Sequence, residues 1–264
     1  ILSMSWGFDL MDDVHRNRGM ERITRYTLKR STFFTSDANV TRDKAVAYGM
    51  DPDHTVVFPW GVDLQRFTPA TDHRSLNTDH FTLFCNRSWE PRYGVDVLAK
   101  AFVKVAGQNP DVDLLLVGGG SQAQPIRQIL QRGGVLDRAS MPGRVAQKDL
   151  PRWYHNSDLY ISPSHVDGSS VSLMEALACG IPCLVSDIPA NKEWVTEDEN
   201  GWLFPDGDAD ALAAKILSAI ARKEDLPGVG LAARRVAETR ADWKKNFAQL
   251  LIAYEQTVKL GGKS

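Results

Sequence analysis

Three short stretches of this 264-residue chain bring together residue types that can do chemistry at one site. The most informative is 163–185. A strand is expected to end at Ser162, and a small-residue loop follows with Asp167, Gly168, Ser169 and Ser170. A helix then runs from Val171 to a C′ glycine, Gly180, with Pro182 beyond it. A strand, a small-residue loop and a helix N-terminus together make an anion site, because unpaired amide N–H groups and the positive end of the helix dipole meet in the loop. Glu175, one turn inside the helix, has two readings. It reaches hydroxyls beside a bound phosphate, or it closes a capping box with Ser172 and serves only backbone amides.

The second stretch is Val117-Gly118-Gly119-Gly120-Ser121, between an expected strand and an expected helix. It can bring backbone close to a ligand, or it is simply a tight turn. It does not have the G-x-G-x-x-G spacing of dinucleotide sites. The third is the loop Cys85-Asn86-Arg87-Ser88-Trp89-Glu90-Pro91-Arg92-Tyr93-Gly94. Guanidinium forks match phosphate oxygens in charge and geometry. The alternative is a solvated loop with an Arg–Glu pair through Glu90.

These loops need a scaffold, and the apolar pattern supplies one. Strands are expected at 32–35, 55–58, 81–85, 113–117, 139–142, 158–162, 182–186 and 201–204. Helical stretches are expected at about 17–31, 38–48, 94–107, 121–133, 147–156, 171–179 and 208–221, with two or three more over 226–260. Strict alternation argues an α/β fold with a doubly wound parallel sheet covered on both faces. The polar, Pro- and Gly-marked run 59–80 breaks the rhythm and places a domain boundary. Residues 81–240 then hold enough strands for a complete Rossmann-like sheet. Residues 1–60 hold two or three, an incomplete second one.

Composition narrows the class. The chain is 43% hydrophobic and 24% charged, as in ordinary globular proteins. A net charge of −2 gives no basic field for nucleic acid. No apolar run approaches the length of a membrane span. Cys85, Cys179 and Cys183 lie in apolar segments without metal-type spacing, which reads as buried thiols in a reducing compartment. Asp12-Asp13 and the acids at 206–210 read as solvated turns away from the loops. His165 reads as a polar loop residue. Residues 16–30 carry six basic side chains and one acid. They form either a basic amphipathic helix able to lie on anionic lipid, or a solvated face with Met20, Ile23, Tyr26 and Leu28 turned to the core.

In order and spacing, the motifs over roughly 32–222 resemble the retaining glycosyltransferases of family 4. Val57-Phe-Pro-Trp-Gly61-Val-Asp63-Leu-Gln-Arg-Phe67-Thr-Pro69 is similar to their interdomain segment. Arg87 with Gly94-Val-Asp-Val-Leu is similar to their diphosphate loop. Val117-Gly-Gly-Gly120, Gly143-Arg144-Val145, the spacing from Asp167 to Glu175, and Gly201-Trp-Leu-Phe match further family motifs. The resemblance implies a GT-B fold, in which 81–240 binds a UDP- or GDP-sugar and 1–60 is the tail of an acceptor-side domain. It further implies an interdomain linker at 61–80 and a C-terminal helix at 241–264 packing back on the first domain. Glu175 would hold the ribose and Arg87 would neutralise the diphosphate. Amides of Gly168, Ser169, Ser170 and Val171 would meet diphosphate and sugar. Gly119 would approach the donor, the loop at Arg144 and Val145 would read the base, and Asp167 would face the donor sugar, with Asp167 and Glu175 as the catalytic pair. No metal or cofactor is implied, the nucleotide-sugar being a substrate. The acceptor would be a glycan, lipid or small molecule. The location would be cytoplasmic, with peripheral contact at the membrane's inner face.

Two positions depart from the family pattern. Asp167 stands where Glu is usual. Arg92 replaces the usual diphosphate lysine, and Tyr93 intervenes before Gly94. The opening Ile-Leu-Ser-Met-Ser reads as the middle of a protein, so a transfer-inactive fragment is expected, with an exposed apolar patch on 1–60. Alternative functions are a GT-B sugar-nucleotide epimerase and a non-catalytic nucleotide-binding module.

Overall fold

The computed structural model describes residues 1–70 and 80–261. Part of the expected linker, 71–79, lies outside the described residues.

The first unit alternates strand and helix: β1 (Leu2–Ser5), α1 (Phe8–Met11), α2 (Arg18–Arg30), β2 (Phe33–Ser36), α3 (Asn39–Ala47) and β3 (Thr55–Val57). Its sheet has the order β1-β2-β3, and both pairs are parallel. β1 escaped the sequence reading, because four residues with two serines carry too little apolar signal. α2 starts where the Asn17 side chain accepts the Met20 amide at 2.9 Å, which satisfies one orphan donor of the first turn.

α2 faces a different way from the inward reading. Leu28 alone of the four apolar residues is buried, while Met20, Ile23 and Tyr26 are exposed. Two basic side chains lie along the surface of the fold: half-buried Arg25 over the Tyr48 ring at 4.7 Å, and exposed Lys29 against Gly49. Ile1 and Trp6 are also exposed, so residues 1–60 present several large apolar side chains.

The second unit runs β4 (Phe81–Cys85), α4 (Val95–Ala106), β5 (Val112–Val117), α5 (Ala123–Arg132), β6 (Ala139–Gly143), α6 (Leu150–His155), β7 (Leu159–Ser162), α7 (Val171–Ala178), β8 (Cys183–Ser186), α8 (Pro189–Lys192), β9 (Gly201–Phe204), α9 (Ala209–Ala221) and α10 (Leu226–Arg240). All neighbouring strands are parallel, in the order β6-β5-β4-β7-β8-β9. The core is two-sided, as a doubly wound sheet requires. Leu98, Phe102, Ile126 and Ile216 fill one face, and Phe84, Tyr154, Tyr160 and Leu177 the other. Cys85, Cys179 and Cys183 are buried free thiols.

The strand order decides where a ligand can sit. The chain builds outward from β4 in one direction, then returns to add β7 on its other side. In such sheets the crevice lies at the carboxyl ends of the two strands where the order reverses. Those ends are Cys85 and Ser162, which lead directly into the arginine loop and the small-residue loop. Gly94, at φ +59, holds the two loops together. A Cβ there would collide with the Pro163 carbonyl, which is backbone and cannot yield.

The last helix, α11 (Trp243–Gly261), leaves the second unit and packs on β1, β2 and β3. Its crossing is pinned where the Val62 amide donates to the Ala241 carbonyl at 2.7 Å, and Trp243 stacks on Trp60 at 5.9 Å between ring centres. No helix among the described residues is long and apolar enough to cross a membrane.

Candidate active site

A cavity of about 570 Å³ opens at the switch point between the two sheets. The second unit contributes Asn86, Arg87, Asp167, Ser169, Ser170 and Glu175 to its wall; the first contributes Trp6, Phe8, Asp37 and Trp60. A larger cavity, about 880 Å³, lies at the opposite end of the six-stranded sheet, around His80, His155 and Gly230. It holds none of the residues singled out for chemistry.

Arg87 is the organising cation. Its Nη2 donates to Asp167 Oδ2 at 2.6 Å, and its Nη1 to Ser170 Oγ at 2.6 Å and Ser172 Oγ at 3.0 Å. The guanidinium lies over the Tyr93 ring at 4.4 Å. Both partners of the ion pair are largely buried, and Arg87 Nε has no protein partner. Burial pushes the Asp167 carboxyl up, and the arginine opposes that shift. The sequence reading sent Arg87 to a diphosphate and Asp167 to a sugar. The structure adds that, between them, the two neutralise each other.

Glu175 is buried, and Tyr154 Oη donates to its Oε2 at 2.8 Å. The capping-box reading fails. Ser170, not Ser172, is the N-cap, and its Oγ accepts the Leu173 amide at 3.4 Å. Burial raises the Glu175 carboxyl to about 7. The same Tyr154 hydroxyl lies 2.9 Å from the Ser172 carbonyl. A phenol has one proton, so both bonds form together only when Glu175 holds a proton itself.

Asp37 escaped the sequence reading. It follows β2 directly and is buried against the small-residue loop. Its Oδ2 accepts the Ser169 amide at 2.9 Å, and its carbonyl accepts Ser169 Oγ. Its Oδ1 has no partner. Gly168 is required here, because a Cβ would run into the Asp37 carboxylate. Burial, with Asp167 and Asp9 nearby, lifts Asp37 to about 7, while the Ser169 amide pulls it down.

Two carboxyls raised to about 7 fix the sign of a pH effect. The folded chain keeps their protons up to about pH 7, whereas the unfolded chain releases them near pH 4. Stability from these two groups is therefore full below pH 4 and is lost as pH rises to 7. Melting temperature is expected to fall between pH 5.5 and 8, and the fall should shrink in an Asp37→Asn, Glu175→Gln double variant. A slope unchanged by the two substitutions would refute the assignment.

Other expected residues fall around the cavity rather than in it. Arg92 turns toward the first unit, with Nη2 3.7 Å from Asp13 and 3.9 Å from Asp12 and its guanidinium 4.7 Å over the Phe8 ring. Asp12 and Asp13 are thus partners of a cation from the other unit rather than remote solvated turns. Glu90 does not pair with an arginine; it accepts the Ser121 amide at 2.9 Å and tethers the glycine turn. The Gly119 carbonyl accepts the Trp89 amide at 3.0 Å, Arg144 is exposed, and Val145 packs on the core near α6. His165 Nδ1 lies 2.6 Å from Asp206, as befits a polar loop residue. Trp6 and Trp60 were also missed. The signal was present as two Trp-Gly pairs, Trp6-Gly7 and Trp60-Gly61, each just beyond a strand.

A family model described as "Glycosyl transferases group 1" matches residues 70–250. The chain belongs to that family, and its architecture is the GT-B fold. Among curated proteins it is 34% identical to a phosphatidyl-myo-inositol mannosyltransferase of Mycobacterium leprae (strain TN), over 69% of this chain and 48% of that one. It is 30% identical to a D-inositol 3-phosphate glycosyltransferase of Xylanimonas cellulosilytica, over 85% of this chain and 58% of that one. The chain thus spans about half the length of the curated relatives it matches. Among solved structures, sucrose-phosphate synthase from Thermosynechococcus elongatus superposes with a TM-score of 0.86 at 22% identity, covering 98% of this chain and 68% of that one. HepE of Anabaena, in complex with UDP and glucose, gives 0.86 at 19% identity, covering 96% and 71%.

Proposed function

We propose that this chain is the donor-binding part of a retaining glycosyltransferase that moves a sugar from a nucleoside-diphosphate sugar to a glycan, lipid or small-molecule acceptor. Residues 81–240 form the donor domain, 1–60 the tail of the acceptor-side domain, 61–80 the linker, and 241–264 a C-terminal segment whose helix, Trp243–Gly261, docks on the first domain. One observation carries the reading. Arg87, the N-terminus of α7 and Glu175 converge in a single cavity at the switch point of a parallel sheet. The Ser169 amide of that loop already holds a carboxylate oxygen, that of Asp37.

The chemistry is leaving-group stabilisation. As the glycosidic bond to the nucleotide breaks, charge develops on the departing diphosphate. Arg87 and the loop amides meet that charge where it forms. An arriving diphosphate competes with Asp167 for Arg87, so Asp167 is released toward the sugar. Glu175 holds ribose hydroxyls from inside α7. The side chains supply the positive charge, so the reaction runs without a metal. Relatives named for GDP-mannose and neighbours solved with UDP leave the two bases as the candidates. The three buried thiols favour a cytoplasmic setting.

A thermal-shift comparison of UDP, GDP and ADP tests the donor reading. At 100 times its dissociation constant the correct diphosphate should stabilise by about 2.7 kcal/mol. For a chain of this size that is a rise of roughly 5–10 °C. EDTA should leave the shift intact, and no shift with any of the three would sink the reading. Product analysis with a full-length enzyme separates transfer from epimerisation and from binding without chemistry.

A further inference from the structure

The ring of Tyr154 is fully buried and held from three sides. Phe84 of β4 meets it edge-on with ring centres 4.9 Å apart, Phe67 does so at 6.1 Å, and Tyr160 of β7 lies tilted at 5.8 Å. Only the hydroxyl proton is left free to turn. Asn86 Nδ2 donates to that hydroxyl at 2.9 Å, which occupies one of its lone pairs. The O–H then has two acceptors in reach, Glu175 Oε2 at 2.8 Å and the Ser172 carbonyl at 2.9 Å. The phenol itself stays neutral, because burial, with Glu175 beside it, pushes it well up. It therefore answers the charge of Glu175 by the direction of its proton. The O–H points to Glu175 when that carboxyl is ionised, and to Ser172, in the first turn of α7, when it is not. Glu175 has no cationic partner among the described residues; burial pushes its carboxyl up, and Tyr154 from α6 and Asn86 from the loop after β4 draw it down. Cys179, at the end of α7, is a thiol pushed up by burial and by Glu175. Arg87, Asp167, Asp37 and Tyr93 line the same cavity, and Arg87 is already paired with Asp167.

We propose that Tyr154, aligned by Asn86, is the positioning residue for Glu175, turning its one proton to Oε2 so that a buried carboxylate without a cation can accept both ribose hydroxyls of a nucleotide. The ribose rests on the donor reading; the hydroxyl relay rests on geometry alone. A carboxyl that kept its proton would meet the two hydroxyls with a donor and one free acceptor oxygen. Nucleotide binding therefore expels the proton of Glu175. The phenol lowers the cost of that step by donating to the anion as it forms. The sign of the pH effect follows. A ribose ligand takes the ionised form, so its affinity grows as pH rises and levels off above about 7, where Glu175 is already ionised. Tyr160 supplies a control. Its hydroxyl also sits on a buried ring, but it donates to Ser172 Oγ at 2.8 Å and not to Glu175.

Calorimetry on the 264-residue chain compares UDP and GDP with their 2′,3′-dideoxy forms across about pH 5.5–8.5. The members of each pair carry the same phosphates, so titration of the phosphates, Asp37 and Asp167 acts on both alike. In the parent, the preference for the ribose form should rise with pH and level off above about 7. Tyr154→Phe should cut that preference about tenfold at neutral pH, the scale of a lost hydrogen bond to a charge, and carry its midpoint upward by about one pH unit. Asn86→Ala should move both in the same direction by less, and Tyr160→Phe should leave both in place. Carboxyl ¹³C titration of the free chain should show Glu175 itself moving up in Tyr154→Phe. An unchanged preference and midpoint in Tyr154→Phe, or equal changes in Tyr160→Phe, overturns the proposal. If Tyr154→Phe does not fold, an unmoved midpoint in Asn86→Ala overturns it instead. A ribose preference that none of these variants alters removes this inference and leaves the donor reading standing. Binding of neither diphosphate removes the donor reading and this inference with it.

Discussion

Arg87→Ala is expected to give the largest loss of any single substitution in this chain. Removing one partner of a buried pair strands the other, and the cost of an uncompensated buried charge is about 3–5 kcal/mol. Here the stranded group is Asp167, which sits 2.6 Å from the guanidinium and is itself largely buried. The variant should melt far below the parent. Arg87→Met combined with Asp167→Asn should recover most of the stability, because no charge is left behind. The double variant then isolates the ligand effect. It should bind a nucleoside as the parent does and a nucleoside diphosphate much more weakly. Chemical denaturation of the three proteins measures the first part, and calorimetry with nucleoside and diphosphate the second. Equal losses for both ligands would show that Arg87 does not act on phosphate.

The second large effect belongs to Glu175. The N-cap of α7 is Ser170, so Glu175→Ala removes no cap. It should weaken diphosphate binding by about 1–3 kcal/mol, the scale of a lost hydrogen bond to a charged group. Glu175→Gln keeps the shape, removes the titration and should raise the melting temperature above pH 7, where the parent must ionise a buried acid. Weaker binding together with higher stability is the pattern of a group retained for a ligand rather than for the fold. Intact affinity in a folded Glu175→Ala protein would end the ribose role.

How legible these features were depended on their range along the chain. The strands at Phe81–Cys85 and Gly201–Phe204 and the loops after β4 and β7 were readable, since each is a local run of apolar or small residues between breaks. β1 was not, being too short and too polar. α2 shows a subtler limit. Periodicity tells which residues share a face, and Met20, Ile23 and Tyr26 do share one. It does not tell which face meets the sheet, and here their shared face meets solvent. The site contacts that went unseen join distant segments: Arg87 with Asp167, Arg92 with Asp13, Asp37 with Ser169. Residue types announce that a charge needs a partner; only the fold selects which.

The return of α11 to the first sheet sets an order of events during synthesis. β1, β2 and β3 are made well before the helix that covers them, since α11 follows the whole second unit. The second unit closes most of its contacts within its own span, so it can condense while the chain is still growing. The first sheet must wait, with its aromatic edge at Trp60 uncovered until Trp243 arrives. Pairing of segments far apart in sequence is slow, because the whole intervening stretch must be closed before any contact repays it. The first sheet is thus made before the second unit but finished after it, and through that interval it stays open to chaperones and to aggregation.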